Sequence, residues 1–270
     1  LDLQYDAKRY EHAWRLSIQL FDFERSIALL NSASEQTPLT DLELQAFFYS
    51  QESRGTPEQS ESWLRDYIAK YPQHRLGWTY LLVSLENREQ YTQESERWSA
   101  MAKRFELEPK ELIRWAESYL YDSNLEAAWQ VLNQGNDAKI TNPNYWHLKA
   151  STAWALEDDE QLLLVYQHME DINITLYRSE VDQLVGLLST KNPEKVFALI
   201  LQRWKKERQE QDLMTVVYLA VELNKWDLLQ DLVDTNRADS QLAQSVPILF
   251  AQASIAEHNL QYSVAESDLL

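Results

Sequence analysis

Cysteine is absent from the sequence, which excludes disulfide bonds, thiolate metal ligands and a cysteine nucleophile. Glycine occurs only four times and proline seven times in 270 residues. Hairpin-rich β folds and glycine-loop nucleotide-binding folds need more of both residues. No apolar run approaches the ~18–20 residues that a membrane-spanning helix requires, so direct membrane insertion of this chain is not expected.

Positive charge is also scarce, because 25 Lys and Arg residues face 43 Asp and Glu residues, a formal net charge of −18. This balance argues against non-specific binding to nucleic acid or to an anionic membrane, and it favours solubility. The opening LDLQYD lacks the basic start of a signal peptide and has no initiator Met. We therefore expect a segment excised from a longer chain, so the absence of targeting signals says little about the parent protein.

Catalytic and cofactor motifs are missing as well. The phosphate-binding patterns GxxxxGK[ST] and GxGxxG and the nucleophile elbow GxSxG do not occur. None of the five histidines lies in an HExxH motif or four residues from another: they are His12, His74, His147, His168 and His258. We expect no catalytic residue, no metal site and no cofactor, and we do not expect an enzyme.

Against this background, the stretch Lys110–Asn133 predicts two short amphipathic helices joined by a tight turn. Apolar residues three and four positions apart define the buried face of the first helix: Leu112, Trp115, Ala116 and Tyr119. Asp122–Asn124 then supply turn and N-cap chemistry. Ala128 and Leu132 continue the apolar pattern on the second helix. One such hairpin cannot bury its own apolar face, so neighbouring copies are needed.

The hairpin resembles the tetratricopeptide repeat, and stepping 34 residues from Asn124 tests the resemblance. The steps reach polar stretches that suit inter-helix turns at Asp22, Thr56, Gln90, Asp158 and Asn192. The last two turns are displaced by about one residue, to Asn224–Lys225 and to Asn259. The bulky second-helix column is filled by Leu30, Leu64, Trp98, Leu132, Tyr166 and Ile200.

The resemblance implies an all-α fold, an α–α superhelix of about eight helix-turn-helix units. We expect one solenoid domain over residues 1–270, part of a longer repeat array. The small residues typical of this repeat are often replaced by larger ones, so packing angles should vary. Core packing is expected for five tryptophans: Trp78, Trp98, Trp115, Trp129 and Trp146. The basic run of Arg203, Lys205, Lys206 and Arg208 is interpreted as a solvated helix end.

In this family, ligands usually lie along a concave face made by the first helices. Carried over column by column, the expected ligand-binding residues are Lys8, Arg15, Tyr49, Glu86, Lys110, Glu117, Tyr121, His147, Trp154 and Arg178, with Asp212 in the same set. Charges of both signs and an aromatic middle at Tyr121, His147 and Trp154 suit a peptide, a protein segment or a sugar ring. The chaperone-binding clamp of the family is not present.

The resemblance implies a non-catalytic scaffold for protein–protein interaction. Degenerate, cysteine-free arrays rich in Gln and Trp resemble the periplasmic segments of bacterial exopolysaccharide exporters, of the Pel, cellulose or poly-N-acetylglucosamine type. We therefore expect a periplasmic location and partners that include enzyme or synthase subunits. Two alternatives stay open. One is a carbohydrate-binding module that uses the aromatic groove, and the other is a cytoplasmic regulatory or assembly scaffold. Nucleic acid is not an expected partner.

Overall fold

A computed structural model describes residues 2–236 and 242–269, with side chains over 9–236 and 242–260. These residues form fifteen α-helices and no strand. The predicted all-α helical-repeat fold is therefore confirmed. The chain divides into two compact units, Leu1–Asp158 and Asp159–Leu270, and each is described by itself. The expectation of one continuous domain over 1–270 stays a prediction.

The first unit holds nine α-helices and one short 3-10 turn, and helices adjacent in sequence pack on each other. Odd-numbered helices are the first, and even-numbered helices the second, of each pair. The bounds are α1 Asp2–Gln19, α2 Phe23–Ser34, α3 Asp41–Ser53, α4 Pro57–Lys70, α5 Arg75–Asn87, α6 Tyr91–Ala102, α7 Pro109–Tyr121, α8 Leu125–Leu132, the 3-10 turn Asp137–Lys139 and α9 Pro143–Ala155.

The second unit continues the pairing and ends in one long helix. Its bounds are α10 Asp159–Asp171, α11 Arg178–Leu188, α12 Pro193–Glu207, α13 Glu210–Glu222, α14 Trp226–Asn236 and α15 Val246–Leu269. The turn expected at Asn259 is wrong, because α15 runs through it without interruption. Neither glycine nor proline occurs between Ile248 and Leu269, so nothing there breaks the backbone hydrogen bonding of the helix.

The 34-residue period appears directly in the backbone of the first unit. Left-handed φ angles of 56° to 67° recur every 34 residues, at Phe21, Gly55, Glu89, Ser123 and Glu157. In each case the next residue donates its N–H to the carbonyl five positions earlier, as Asn124 does to Tyr119 at 2.8 Å. This is the Schellman pattern that ends a helix. The turns predicted in the first unit, at Asp22, Thr56, Gln90, Asn124 and Asp158, are confirmed, since each of these residues follows one of the left-handed residues.

Side-chain capping then starts the second helix of several pairs. Asp22 accepts the backbone N–H of Arg25, and Asn124 accepts that of Ala127. Asn192 does the same for Lys195 in the second unit. A short polar side chain at this position satisfies an N–H group that the first turn of a helix leaves free. The polar residues at these predicted turn positions therefore act as N-caps for the helices that follow.

The helix interfaces of both units bury the columns that the repeat pattern predicts. Trp78, Trp98, Trp115 and Trp146 are 1–5% exposed and lie in the core, as expected. Trp129 is only half-buried, so the expectation of core packing is wrong for this ring. It lies instead at the rim of the core, 5.7 Å from the ammonium of Lys149.

Candidate binding surface on the first helices

The burial pattern of the first helices defines a surface in the first unit. On α7, Trp115 and Ala116 are buried, whereas Lys110 and Glu117 lie on the opposite stripe. On α9 the corresponding exposed or half-exposed stripe contains His147, Ser151 and Trp154. The surface formed by these stripes is called the first-helix face below, and its residues are Arg15, Tyr49, Glu86, Lys110, Arg114, Glu117, His147, Ser151 and Trp154.

Contacts between successive first helices make this face continuous. The rings of Phe48 on α3 and Tyr80 on α5 stack with centroids 4.5 Å apart and an interplanar angle of 14°. Arg114 on α7 forms an ion pair with Glu86 on α5. α7 and α9 pack directly on each other. Side chains from α3 to α9 therefore share one surface, although they are far apart in sequence.

A group of acids surrounds Arg114 on this face. Glu94, on α6, is 2% exposed and its carboxylate accepts the Trp98 indole N–H at 3.0 Å. Burial raises the pKa of Glu94 to about 7, and Glu86 and Glu117 add to the rise, whereas the Trp98 hydrogen bond and Arg114 oppose it. Burial likewise raises the pKa of Glu117. Two carboxyl groups of the face, Glu86 and Glu117, share the one guanidinium of Arg114, so this part of the face favours cationic ligand groups.

Sequence analysis did not single out Glu94, which is one of the larger residues in a column of the second helices that usually holds a small one. The structure shows a buried acid with an indole hydrogen bond. The signal that could have revealed it is the column itself, which elsewhere holds the uncharged residues Ser26, Ser60, Ala128, Leu162 and Val196. A carboxylate in a buried column needs hydrogen bonds or a shifted pKa.

The aromatic residues expected at the middle of the face separate into two kinds. Trp154 is 47% exposed, and its ring has no aromatic or cation partner among the described residues. His147 lies two helical turns before it on the same stripe of α9. Tyr121 is exposed but stacks on Tyr91, at the start of α6, with centroids 4.7 Å apart. Tyr121 therefore lies at the turn edge of its hairpin.

The remaining predicted residues of the first unit lie at the surface in local pairs. Arg15 forms an ion pair with Glu11 at 2.6 Å. The ring of Tyr49 meets the edge of Phe23 at 5.9 Å. Lys110, at the start of α7, pairs with Glu108 at 2.9 Å. The side chain of Lys8 lies outside the described residues. Exposed pairs of this kind are worth little in stability and are open to competition by a ligand.

Two expectations for the second unit are corrected by an ion-pair network. Asp212 is 1% exposed and accepts Arg203 at 2.6 and 3.0 Å, so it is not a surface ligand residue. Arg203 also pairs with Asp182 at 2.5 Å, which makes it an internal cation and not part of a solvated helix end. Arg178 pairs with Glu207 at 2.5 Å and lines a cavity described below. The start of α13 packs on α12, which buries the Asp212 carboxylate.

The family of the chain is identified by comparison with known proteins. The tetratricopeptide repeat profile matches residues 100–269, which is more than half of the chain. The chain belongs to the tetratricopeptide repeat family. Domains of this family generally bind protein partners. No curated protein matches the sequence.

Several solved tetratricopeptide repeat structures are similar to this chain. MamA 41-end from Desulfovibrio magneticus RS-1 is 12% identical to this chain. The alignment covers 62% of this chain and 93% of the MamA chain, with a TM-score of 0.45. TTC0263 from Thermus thermophilus is 14% identical over 65% and 99%, with a TM-score of 0.37. A tetratricopeptide repeat protein from Parabacteroides merdae ATCC 43184 is 8% identical over 91% and 99%, with a TM-score of 0.47.

Neither a metal site nor a membrane-spanning helix is found in the described part of the chain. Among the described residues, no group of three or more His, Cys, Asp or Glu side chains could hold a metal ion. In the same part of the chain, every helix is too short or too polar to span a bilayer.

Proposed function

We propose that this chain is a non-catalytic scaffold whose first-helix face binds a segment of a partner protein. The observation that carries the proposal is Trp154, a half-exposed indole without a ring partner in the described residues, on the same stripe as His147 and Ser151. Tryptophan is enriched among the residues that dominate protein–protein binding energy. An indole of this kind loses water-exposed apolar surface when a partner covers it.

The charges of the face set the chemistry of the expected partner. Glu86 and Glu117, beside Arg114, attract basic side chains, while Lys110 lies at the start of α7, one turn before Arg114. A partner segment with an apolar anchor for Trp154 and one or more Lys or Arg residues would satisfy both features. Mixed charge favours specificity over raw affinity, because wrong partners place like charges together.

Binding can be tested with the full chain carrying an affinity tag. Proteins captured from a native extract of the source cells are identified, and the main partner is purified for titration calorimetry. Trp154→Ala should weaken binding at least about tenfold, as expected for a central aromatic anchor. The control Gln130→Ala, exposed on the second helix α8, should change affinity less than twofold. Equal affinity of both variants for the purified partner would contradict the proposal.

The setting that we propose is exopolysaccharide export in the bacterial envelope, with partners among synthase subunits or polysaccharide-modifying enzymes. Its support is the composition: degenerate repeats without cysteine and with ten tryptophans. Cell fractionation followed by capture from the periplasm tests it. Recovery of the protein in the periplasm with such an enzyme supports the proposal. Recovery in the cytoplasm with unrelated partners would favour a cytoplasmic assembly scaffold.

Carbohydrate binding is a second candidate, favoured by the same free indole face. Sugar rings stack on exposed aromatic side chains, and Trp154 offers such a face. Titration with oligosaccharides while tryptophan fluorescence is followed tests this function. A saturable change that disappears in Trp154→Ala would support it. No change with any oligosaccharide, or the same change in the variant, would exclude Trp154 as a sugar platform.

A further inference from the structure

The second unit contains a cavity of about 360 Å³ beside the connection between α10 and α11. Its walls come from α10, from residues 173–176 of the connection, and from α11 and α12. The volume lies near the lower end of the ~300–1,000 Å³ range of ligand pockets. The cavity therefore suits one or two side chains and not a large cofactor. It shares no residue with the first-helix face.

Five residues of the cavity lining are aliphatic. They are Val181 and Leu184 of α11, Leu199 of α12, and Ile174 and Leu176 of the connection. The one aromatic ring in the lining, Tyr166, donates its hydroxyl to Gln183 and is 2% exposed. Its polar atom is thus already occupied. These aliphatic residues match an aliphatic ligand side chain, which needs no hydrogen-bond partner.

The lining also carries charged side chains, and most of them are paired within the unit. Glu170 pairs with Lys195 at 2.6 Å. Glu207 pairs with Arg178 at 2.5 Å. Arg203 is held by Asp212 and Asp182. Both carboxylates of the lining therefore already have a cationic partner.

Lys206 is the charged residue of the lining that lacks such a partner in the described part of the chain. It is exposed, lines the cavity, and has no hydrogen bond or ion pair with any of the described residues. Lys206 is therefore the one cation of the lining that no carboxylate of the described residues pairs with, in a chain whose formal net charge is −18. A carboxylate is the group that complements this ammonium.

We propose that the cavity binds a partner peptide segment in which an acidic side chain is followed by an aliphatic one. The carboxylate pairs with Lys206, and the aliphatic group contacts Leu184 and Leu199. This site adds a second, acid-selective contact to the partner binding proposed for the first-helix face, and it does not depend on that face.

The test uses short peptides with both ends blocked, so that only side chains carry charge. The full chain is labelled at Leu and Val methyl groups, and methyl shifts of Val181, Leu184 and Leu199 are followed by NMR. Ac-Gly-Glu-Leu-Gly-NH2 is titrated against the isosteric neutral peptide Ac-Gly-Gln-Leu-Gly-NH2. Ac-Gly-Glu-Ala-Gly-NH2 tests the aliphatic half of the site, and free 4-methylpentanoate tests whether a small carboxylate alone is the ligand.

Saturable shifts with the Glu-Leu peptide are expected, and about three- to fivefold weaker binding with the Gln-Leu peptide, as fits an ion pair near the surface. Lys206→Gln should remove this preference. Lys205→Gln is the matched control, since Lys205 is an exposed neighbour outside the lining, and it should leave affinity unchanged within twofold. Equal binding of the Glu-Leu and Gln-Leu peptides would overturn the proposal. So would an unchanged preference in Lys206→Gln, shifts with 4-methylpentanoate alone, or no shift with any peptide.

Discussion

Replacing Glu94 with glutamine should stabilise the protein at alkaline pH and have little effect near pH 5. The carboxyl group is buried, and its pKa rises from 4.5 to about 7 on folding. Between these values the folded protein keeps a proton that the unfolded chain releases, so stability is lost as the pH rises from about 4.5 to above 7. At about 1.4 kcal/mol per pH unit, the full loss is about 3 kcal/mol.

Glutamine removes this cost, because its amide stays neutral at every pH and its carbonyl can still accept the Trp98 indole N–H. The assay is urea unfolding followed by circular dichroism at pH 5.5, 6.5, 7.5 and 8.5. The difference in unfolding free energy between Glu94→Gln and wild type should grow with pH towards about 3 kcal/mol. Glu96→Gln, at an exposed site of the same helix, should show almost no pH-dependent difference. Destabilisation by Glu94→Gln at pH 8.5, or a difference independent of pH, would refute the reasoning.

Three further substitutions test local contributions to stability, each measured from the midpoint of urea unfolding. Glu157→Gly should stabilise the folded protein by about 0.5–1 kcal/mol, because Glu157 has a left-handed φ of 56°. The control Gln130→Gly, inside α8, should destabilise it by about 1 kcal/mol. Effects of the same sign would contradict this prediction. Lys149→Met should cost about 2 kcal/mol because it breaks the 2.8 Å ion pair of a buried ammonium with Asp137, and a stability gain would show that the pair is dispensable. Gly186→Ala should stabilise by up to about 1 kcal/mol, since an added Cβ meets nothing within 4 Å; a loss would mean that α11 needs glycine there.

The sequence predicted the hairpin boundaries well because their determinants are local. A left-handed residue, a Schellman hydrogen bond and a polar N-cap lie within a few positions of one another, as at Ser123 and Asn124. The prediction of a turn at Asn259 failed, because the 34-residue period places a turn there but no glycine, proline or left-handed residue ends the helix. Periodicity places a turn only where the local chemistry can form one.

The exposed stripes of the first helices also follow from a local property, the 3.6-residue period of each helix. Contacts between helices do not follow from this period. The Asp212–Arg203 pair joins two helices, the Arg114–Glu86 pair joins two hairpins, and the Glu94 environment combines three helices. Which charge faces which partner depends on how neighbouring helices pack, and no single-helix pattern encodes it. The cavity beside α11 escaped prediction for the same reason.

Site-specific photo-crosslinking shows whether a partner binds through the first-helix face. The photoreactive residue p-benzoylphenylalanine replaces Trp154 in one variant and Gln130, exposed on α8, in another, and both are irradiated with the purified partner. We expect a covalent adduct from position 154 and none from position 130. An adduct at position 130 alone, or equal yields at both positions, would contradict it.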